Sequence, residues 1–123
     1  MLGTIHSVVI WTEDLSRLTP FYRDKLGLTT EMESDEFAVF TAASPGATQI
    51  ALGRHSEVSG RSKEPERIMV NFLVPDCQKA YEDLKGRSVE FSRAPSVDQD
   101  DGFMIATFQD PDGNTLQLFQ PPS

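Results

Sequence analysis

Two segments of the chain, 62 residues apart, follow the same order of patterns. A β-branched run ending in Val8-Val9-Ile10-Trp11 leads to Asp14, and a similar run ending in Val70-Asn71-Phe72-Leu73 leads to Asp76. Each aspartate is a good N-cap for the amphipathic helix that the following residues predict. A plan of strand, helix and further strands that occurs twice indicates an internal duplication.

The helices and their ends follow from apolar spacing and from residues that start or stop helices. The apolar stripes comprise Leu15, Leu18, Phe21, Tyr22 and Leu26 in the first half and Cys77, Ala80, Tyr81 and Leu84 in the second. Pro20 interrupts the first stripe, which predicts either an irregular first turn or a new helix start with Thr19 as the cap. We expect Gly27 and Gly86 to end the two helices.

Alternation and β-branched residues predict the strands. They are expected at 5–11, 37–41 and 48–52 in the first half and at 68–74, 89–92, 104–108 and 115–119 in the second. Turns are expected at 44–46 and at Asp110–Asn114, where Gly113 supplies the left-handed backbone. The polar stretch 94–102 is interpreted as a solvated loop, and the stretch 54–66 as a linker between modules at 4–53 and 67–120 of one domain.

Charge and composition exclude several classes of partner. The net charge of -8 disfavours nucleic acid and anionic membrane surfaces, because a phosphate backbone requires a basic footprint. No apolar run approaches the roughly 18 residues of a membrane span, and we expect no signal peptide. The single cysteine, Cys77, excludes an internal disulfide and suits a reducing cytoplasm, where we expect the protein to reside.

Taken in order, these motifs resemble those of the vicinal oxygen chelate superfamily, which includes glyoxalase I, extradiol dioxygenases and bleomycin- and fosfomycin-resistance proteins. The matching segments are Glu13-Asp14-Leu15, Phe21-Tyr22-Arg23-Asp24-Lys25-Leu26-Gly27 and Asp110-Pro111-Asp112-Gly113-Asn114. The resemblance implies an α+β fold in which two βαβββ modules form a curled mixed sheet around a cup, with the helices on the outer face. It also implies that two chains pair as a homodimer.

Metal-using members of this superfamily place four ligands, mostly His and Glu, in the cup. The resemblance assigns those positions to Ser7, Ala51, Met69 and Gln117, which offer a hydroxyl, a methyl, a thioether and a neutral amide. Since divalent ions need imidazole or carboxylate donors, we expect no metal cofactor. A divalent metal is disfavoured but remains an alternative, because His6 lies next to one of these positions. Alternation along the strand turns His6 toward the helix, and it could enter the cup only if the strand slips or bulges.

Strand alternation also predicts which side chains line the cup. They are Ser7, Val9, Trp11, Gln49, Ala51, Met69, Asn71, Gln117 and Phe119. Aromatic and aliphatic surface with neutral hydrogen-bonding groups is typical of a small-molecule pocket, and Trp11 offers a surface on which a flat aromatic ligand stacks. The alternative is a closed core in which these groups satisfy each other. His55 shares the alternation of Ala51 but falls in a polar loop, where we expect it to be solvated.

Three functions remain open from the sequence. The one we favour is metal-independent binding or sequestration of a small, partly apolar or aromatic molecule, as in resistance proteins. The second is a metal-dependent lyase, isomerase or dioxygenase, which needs His6 turned inward and a carboxylate such as Glu90 or Asp110 nearby. The third is a non-catalytic dimerising module without an open pocket. Whether the protein is an enzyme is left undecided by the sequence.

Overall fold

Two compact units make up the chain in a computed structural model that describes residues 1–41 and 46–123. The first unit is Met1–Gly60 and the second is Arg61–Ser123, so the division falls within the stretch expected to be a linker. Each unit has a strand, a helix and three more strands. The predicted α+β fold of two βαβββ modules is therefore confirmed. Apart from Gly46, the turn expected at 44–46 lies outside the described residues.

The first unit builds one four-stranded sheet beside one helix. Its elements are β1 (Ser7–Thr12), α1 (Leu15–Pro20), β2 (Thr29–Glu33), β3 (Phe37–Thr41) and β4 (Gln49–Arg54). The strand order is β1-β4-β3-β2, with β1 parallel to β4 and the other neighbours antiparallel. The helical segment covers the face that carries Phe40, whose ring stacks on Tyr22 with 6.4 Å between centroids. Both rings are fully buried, which places the core of this unit on that face.

The second unit repeats this arrangement. Its elements are β5 (Met69–Leu73), α2 (Cys77–Gly86), β6 (Phe91–Val97), β7 (Met104–Gln109) and β8 (Thr115–Gln120). The order β5-β8-β7-β6 again places the first strand parallel to the last. Tyr81 of α2 packs on Phe91, and Phe91 on Phe108, with 4.7 and 5.0 Å between centroids. In each unit we call the sheet face opposite the helix the open face.

Both helices begin with the same local geometry, which supports the internal duplication. The backbone angles φ and ψ are −144° and 96° at Asp14 and −144° and 98° at Asp76. Each carboxylate accepts a backbone N–H at 3.0 Å, from Ser16 in α1 and from Lys79 in α2. These bonds satisfy amide donors that the first turn of a helix leaves without partners. Both predicted N-caps are confirmed.

Pro20 changes the helix type rather than ending the helix. After α1 the chain continues as a π turn, Phe21–Lys25, in which the N–H of Leu26 donates to the carbonyl of Phe21. Proline has no N–H to donate to the preceding turn, so one hydrogen bond of the regular α-helix is missing there. The helix continues after this position with the wider hydrogen-bond spacing of a π turn. The expected irregular first turn and the expected restart at Thr19 were both wrong.

Within the described part of the chain, no helix is long and apolar enough to cross a membrane. The two helices end differently. Gly27 takes a φ of +71° after the first helix, as predicted. Gly86 is the last residue of α2, and the left-handed residue is Ser88, with a φ of 68°. The N–H of Val89 then donates to the carbonyl of Leu84 at 3.0 Å and closes the helix.

Two strands differ from the prediction for identifiable reasons. β2 was missed, because all five of its residues are exposed and no apolar alternation marks them. β6 was predicted at 89–92 but extends through Val97 into the stretch interpreted as a loop. It contains Pro95, its register with β7 shifts twice, and it lies at the sheet edge, where a proline that cannot donate to the ladder is tolerated.

Candidate functional site

The open face of the first unit carries all the site residues that the sequence predicted for this half. In the parallel pair of β1 and β4 the register joins Ser7 with Gln49, Val9 with Ala51 and Trp11 with Gly53. Val39 of β3 and Met32 of β2 extend the middle pair into an apolar row across all four strands. Ala51 is buried within this row, whereas Val9 remains partly accessible.

An aromatic cluster, comprising Trp11, Phe37 and His55, lies at one end of this face. The indole lies over Gly53, where a Cβ would come within 2.5 Å of Cζ3 and 2.8 Å of Cε3. The rings of Phe37 and His55 meet Trp11 nearly at right angles, with centroids 5.9 and 5.4 Å away. Trp11 nevertheless keeps 42% of its surface exposed. The cluster therefore presents an accessible indole whose orientation is fixed by its neighbours.

His55 belongs to this cluster, whereas its position in the sequence predicts only a solvated loop residue. Its N–H donates to the carbonyl of Thr12 at 3.1 Å, so the pairing of β1 with β4 continues one step beyond the strand end. Its Nδ1 accepts the N–H of Glu57, also at 3.1 Å. The imidazole is exposed but held by these contacts and by Trp11. The signal that could have revealed it is the alternation it shares with Ala51.

The second unit places the remaining predicted residues on its own open face, which is more polar. The register joins Met69 with Thr115, Asn71 with Gln117 and Leu73 with Phe119. The amide Nε2 of Gln117 donates to Thr107 Oγ1 of β7 at 3.0 Å. Phe119 packs against Phe103 with 5.0 Å between ring centroids. Asn71 is exposed and half-buried Gln117 lies beside it, so two neutral amides form the centre of this face.

Thr115 is an unusual member of the second face. Its side chain is 4% exposed, and its Oγ1 has no hydrogen-bond partner among the residues described. Its neighbours across the sheet are Met69 and Gln109, and the Oε1 of Gln109 accepts from Arg61. A buried hydroxyl without a partner costs about 1–3 kcal/mol. Sequence patterns cannot reveal such a group, because its satisfaction depends on packing.

The positions that the resemblance assigns to metal ligands are arranged alike in the two units. Ala51 lies two residues beyond the direct partner of Ser7, and Gln117 lies two residues beyond the direct partner of Met69. Each pair is therefore a diagonal pair on an open face. Within residues 1–41 and 46–123 no three His, Cys, Asp or Glu side chains gather as a metal site. The donor set present at these positions does not fit a divalent cation.

The groups needed for a metal-dependent reaction lie elsewhere. His6 precedes β1 and is exposed, and Glu90 is exposed just before β6. Asp110 is buried, and its Oδ1 accepts the N–H groups of Asp112 and Asn114 at 2.9 and 3.0 Å. This carboxylate therefore holds the turn before β8, as the sequence predicted for this run.

Cys77 is a protected thiol. It is fully buried at the start of α2, and its backbone N–H donates to Gln120 Oε1 at 2.8 Å. Burial raises the pKa of the Cys77 thiol, and the carboxylate of Asp76 acts in the same direction. A thiol kept protonated is a poor nucleophile, so this residue has a packing role.

Sequence comparison places the chain among known proteins. The sequence model of the Glyoxalase/Bleomycin resistance protein/Dioxygenase superfamily matches residues 4–118. The uncharacterised protein YraH of Bacillus subtilis (strain 168) is 25% identical over 115 residues, which cover 87% of this chain and 90% of YraH.

Solved structures share the fold. A glyoxalase/bleomycin resistance protein/dioxygenase from Nocardioides has a TM-score of 0.77 at 24% identity, covering 100% of this chain and 86% of its own. A lactoylglutathione lyase from Agrobacterium tumefaciens has a TM-score of 0.74 at 17% identity, covering 97% and 94%. The family match spans nearly the whole sequence, and the fold agrees with it. The chain therefore belongs to the glyoxalase/bleomycin resistance protein/dioxygenase superfamily.

Proposed function

We propose that the protein binds a small, partly apolar or aromatic molecule without a metal ion. The observation that supports this most directly is the accessible indole of Trp11, held over Gly53 at one end of an apolar row. The five site residues predicted for the first unit, namely Ser7, Val9, Trp11, Gln49 and Ala51, are aromatic, aliphatic or neutral and polar. Such a set favours a ligand with a flat apolar body and a few uncharged polar groups.

The side chains at the four positions that correspond to metal ligands do not suit a divalent cation. Ser7 and Gln117 offer neutral oxygens, Met69 offers a soft thioether and Ala51 offers no lone pair. A divalent cation held by the pair in either unit would keep its full charge, because neither pair contains an anionic ligand. We therefore place any activity of this chain outside reactions in which a metal at these positions polarises the substrate.

Metal stoichiometry tests this part of the proposal. The purified protein is incubated with manganese, iron, nickel or zinc, desalted, and analysed for bound ions by mass spectrometry. We expect a value near zero ions per chain. A value near one that is lost in His6→Ala would contradict the proposal and would point to the metal-dependent lyase, isomerase or dioxygenase alternative.

Ligand binding is tested through Trp11, the single tryptophan of the chain. One tryptophan gives one indole N–H signal in a proton–nitrogen correlation spectrum, so binding at this face is read without assigning other residues. A two-ring aromatic probe gains roughly 4 kcal/mol from covering about 150 Å² of apolar surface, and the cost of association leaves a Kd of about 1 mM or weaker. We expect a saturable shift of the indole signal at such concentrations.

A matched pair of charged variants tests whether the probe that shifts the Trp11 signal binds at the apolar row. Val9 lies in the apolar row and Val97 near the end of edge strand β6, and they are 42% and 50% exposed. Val9→Glu places a charge in the apolar row and should abolish the shift, whereas Val97→Glu should leave it unchanged. Equal thermal stabilities would show that both variants fold. A shift that survives Val9→Glu would exclude this face as the site.

We also propose that the protein forms a homodimer. The proposal follows the resemblance to the superfamily, and Ile68 and Leu73, just before and at the end of β5, are each 75% exposed and available for such a contact. Light scattering during gel filtration should give twice the mass of one chain at micromolar concentration, and Leu73→Glu should reduce it. A monomer mass for the unaltered protein would refute the dimer without bearing on ligand binding.

A further inference from the structure

We infer that His55 selects ligands that carry a neutral hydrogen-bond acceptor on an aromatic ring, by donating its Nε2–H while the ring packs on Trp11. This inference rests on the proposed function, since it names the class of ligand for the same face. It assigns a binding role to a residue outside the set predicted from the sequence.

The protonation pattern of the imidazole follows from its hydrogen bond. Nδ1 of His55 accepts the backbone N–H of Glu57 at 3.1 Å. A nitrogen that accepts this bond presents a lone pair and carries no proton, so the proton of the neutral ring resides on Nε2. The turn after β4 therefore fixes His55 in the tautomer that donates from Nε2.

The donor is held in place and has no partner of its own. The backbone of His55 is tied to Thr12, and its ring meets the indole of Trp11 with 5.4 Å between centroids. In the described part of the chain no acceptor lies within hydrogen-bond distance of Nε2, and the side chain is exposed. A ligand that stacks on Trp11 thus lies within reach of a pre-oriented N–H donor.

The charges around the cluster favour a neutral acceptor. The nearest guanidinium in sequence, that of Arg54, is paired with Glu36 at 3.3 Å, and the carboxylate of Glu13 accepts the N–H of Gly60. Trp11, Phe37 and the side chains of the apolar row carry no ionisable group. An uncharged ring nitrogen or carbonyl oxygen is satisfied by one N–H, whereas an ionic ligand would lose hydration without gaining an opposite charge.

Quinoline and naphthalene provide the test, because they share one shape and differ by a single ring nitrogen that accepts a hydrogen bond. The indole signal of Trp11 is followed as each probe is titrated, and the curvature of the titration gives the affinity independently of the size of the maximal shift. The preference for quinoline, taken as the ratio of the quinoline to the naphthalene affinity, should be about two- to tenfold higher in the unaltered protein than in His55→Phe, which is the net contribution of one hydrogen bond. N-methylquinolinium, a cation without the acceptor, should bind no better than naphthalene.

Variants of His55 separate the donor from the ring. His55→Phe keeps an aromatic edge against Trp11 and removes the donor, so the preference for quinoline should fall by that factor while naphthalene binding stays. His55→Gln restores an N–H donor and should restore part of the preference. A preference that is undiminished in His55→Phe, or tighter binding of N-methylquinolinium than of quinoline, would overturn the inference.

A measurement on the unaltered protein keeps the inference testable if the variants fold poorly. Long-range proton–nitrogen correlation spectra distinguish the two neutral tautomers of histidine, and we expect His55 to carry its proton on Nε2. A proton on Nδ1 would refute the inference directly. Failure of the proposed function looks different, because neither quinoline nor naphthalene would then shift the Trp11 signal.

Discussion

The indole of Trp11 occupies the space that a side chain at position 53 would fill. A Cβ on Gly53 would lie 2.5 Å from Cζ3 of the indole and 3.2 Å from Cε2 of Phe37. Contacts under 3 Å are not sustained between carbon atoms, so a side chain here would force the indole to move. The missing side chain therefore allows a tryptophan of β1 to lie across β4 and reach a phenylalanine of β3.

Gly53→Ala is expected to displace Trp11 and to lower the free energy of unfolding by about 1–3 kcal/mol, the usual cost of overpacking. The displaced indole should become more accessible, which acrylamide quenching of its fluorescence measures. Urea denaturation gives the stability. Binding of quinoline should weaken in the same variant, since the stacking surface is disturbed.

Gly86→Ala is the matched control for this change. Gly86 is a helical residue with no atom within 4 Å of a Cβ built on it. Alanine there should be neutral or should stabilise by about 0.5–1 kcal/mol, because glycine is a poor helix former. Equal destabilisation by both substitutions would show that the Trp11 contact does not account for the effect at position 53.

Thr115→Val should stabilise the protein. The variant keeps the shape of the side chain and removes a buried Oγ1 that has no partner among the described residues. Relief of that unsatisfied hydroxyl is expected to raise the free energy of unfolding by roughly 1 kcal/mol. Thr107→Val serves as the contrast, because its Oγ1 accepts from Gln117 and its loss should cost about 1 kcal/mol. Urea denaturation measures the free energy of unfolding of both variants. A change in the same direction in both would contradict the role given to the unsatisfied Oγ1.

Local signals made much of the fold predictable. The N-caps at Asp14 and Asp76 and the turn at Gly113 depend on a few adjacent residues, and all three were predicted correctly. β2 was not, because strands that are exposed on both faces lack the alternation that burial imposes. The shift from α to π geometry after Pro20 was also missed, since a proline shows that the ladder is interrupted but not how the chain adapts.

The candidate site was less predictable than the fold, because it depends on register. Alternation along β1 placed Trp11 on the correct face, but the pairing of β1 with β4 decides that Trp11 meets Gly53. Phe37 reaches Trp11 through the pairing of β3 with β4, which places it opposite Gly53. His55 does so through the continuation of the β1–β4 pairing. The two contacts span more than 25 and more than 40 residues of sequence. The alternation of side chains between the two faces is a local property of a strand, whereas the register between distant strands is set by packing.

Asp110→Ala should be among the most damaging substitutions in the second unit. The buried carboxylate accepts backbone N–H groups from Asp112 and Asn114 and the side-chain amide of Asn114. Losing bonds to a charged acceptor is expected to cost about 3–5 kcal/mol in total. Asp110→Asn should cost less, since one oxygen can still accept while its amide group faces the amide of Asn114. Urea denaturation measures both.

Asp98 provides the comparison for that prediction. Its Oδ1 accepts the N–H of Asp100 at 2.8 Å in a loop where the acceptor is partly accessible to water. Asp98→Ala should therefore lower the free energy of unfolding by no more than about 1 kcal/mol. Similar losses from Asp98→Ala and Asp110→Ala would mean that burial of the carboxylate does not decide its contribution.

Cys77 should make stability fall at alkaline pH. Burial raises the pKa of its thiol above the ordinary value of 9.0, so above that pH the unfolded chain loses the proton while the folded chain keeps it. The unfolded state then binds fewer protons, and the free energy of unfolding declines by up to about 1.4 kcal/mol per pH unit until the folded thiol ionises. Cys77→Ala lacks this response, while every other titrating group is common to both proteins. Urea denaturation with a reductant from about pH 7.5 to 10.5 should therefore show the two stabilities converging as the pH rises, and parallel curves would mean that the thiol ionises equally in both states.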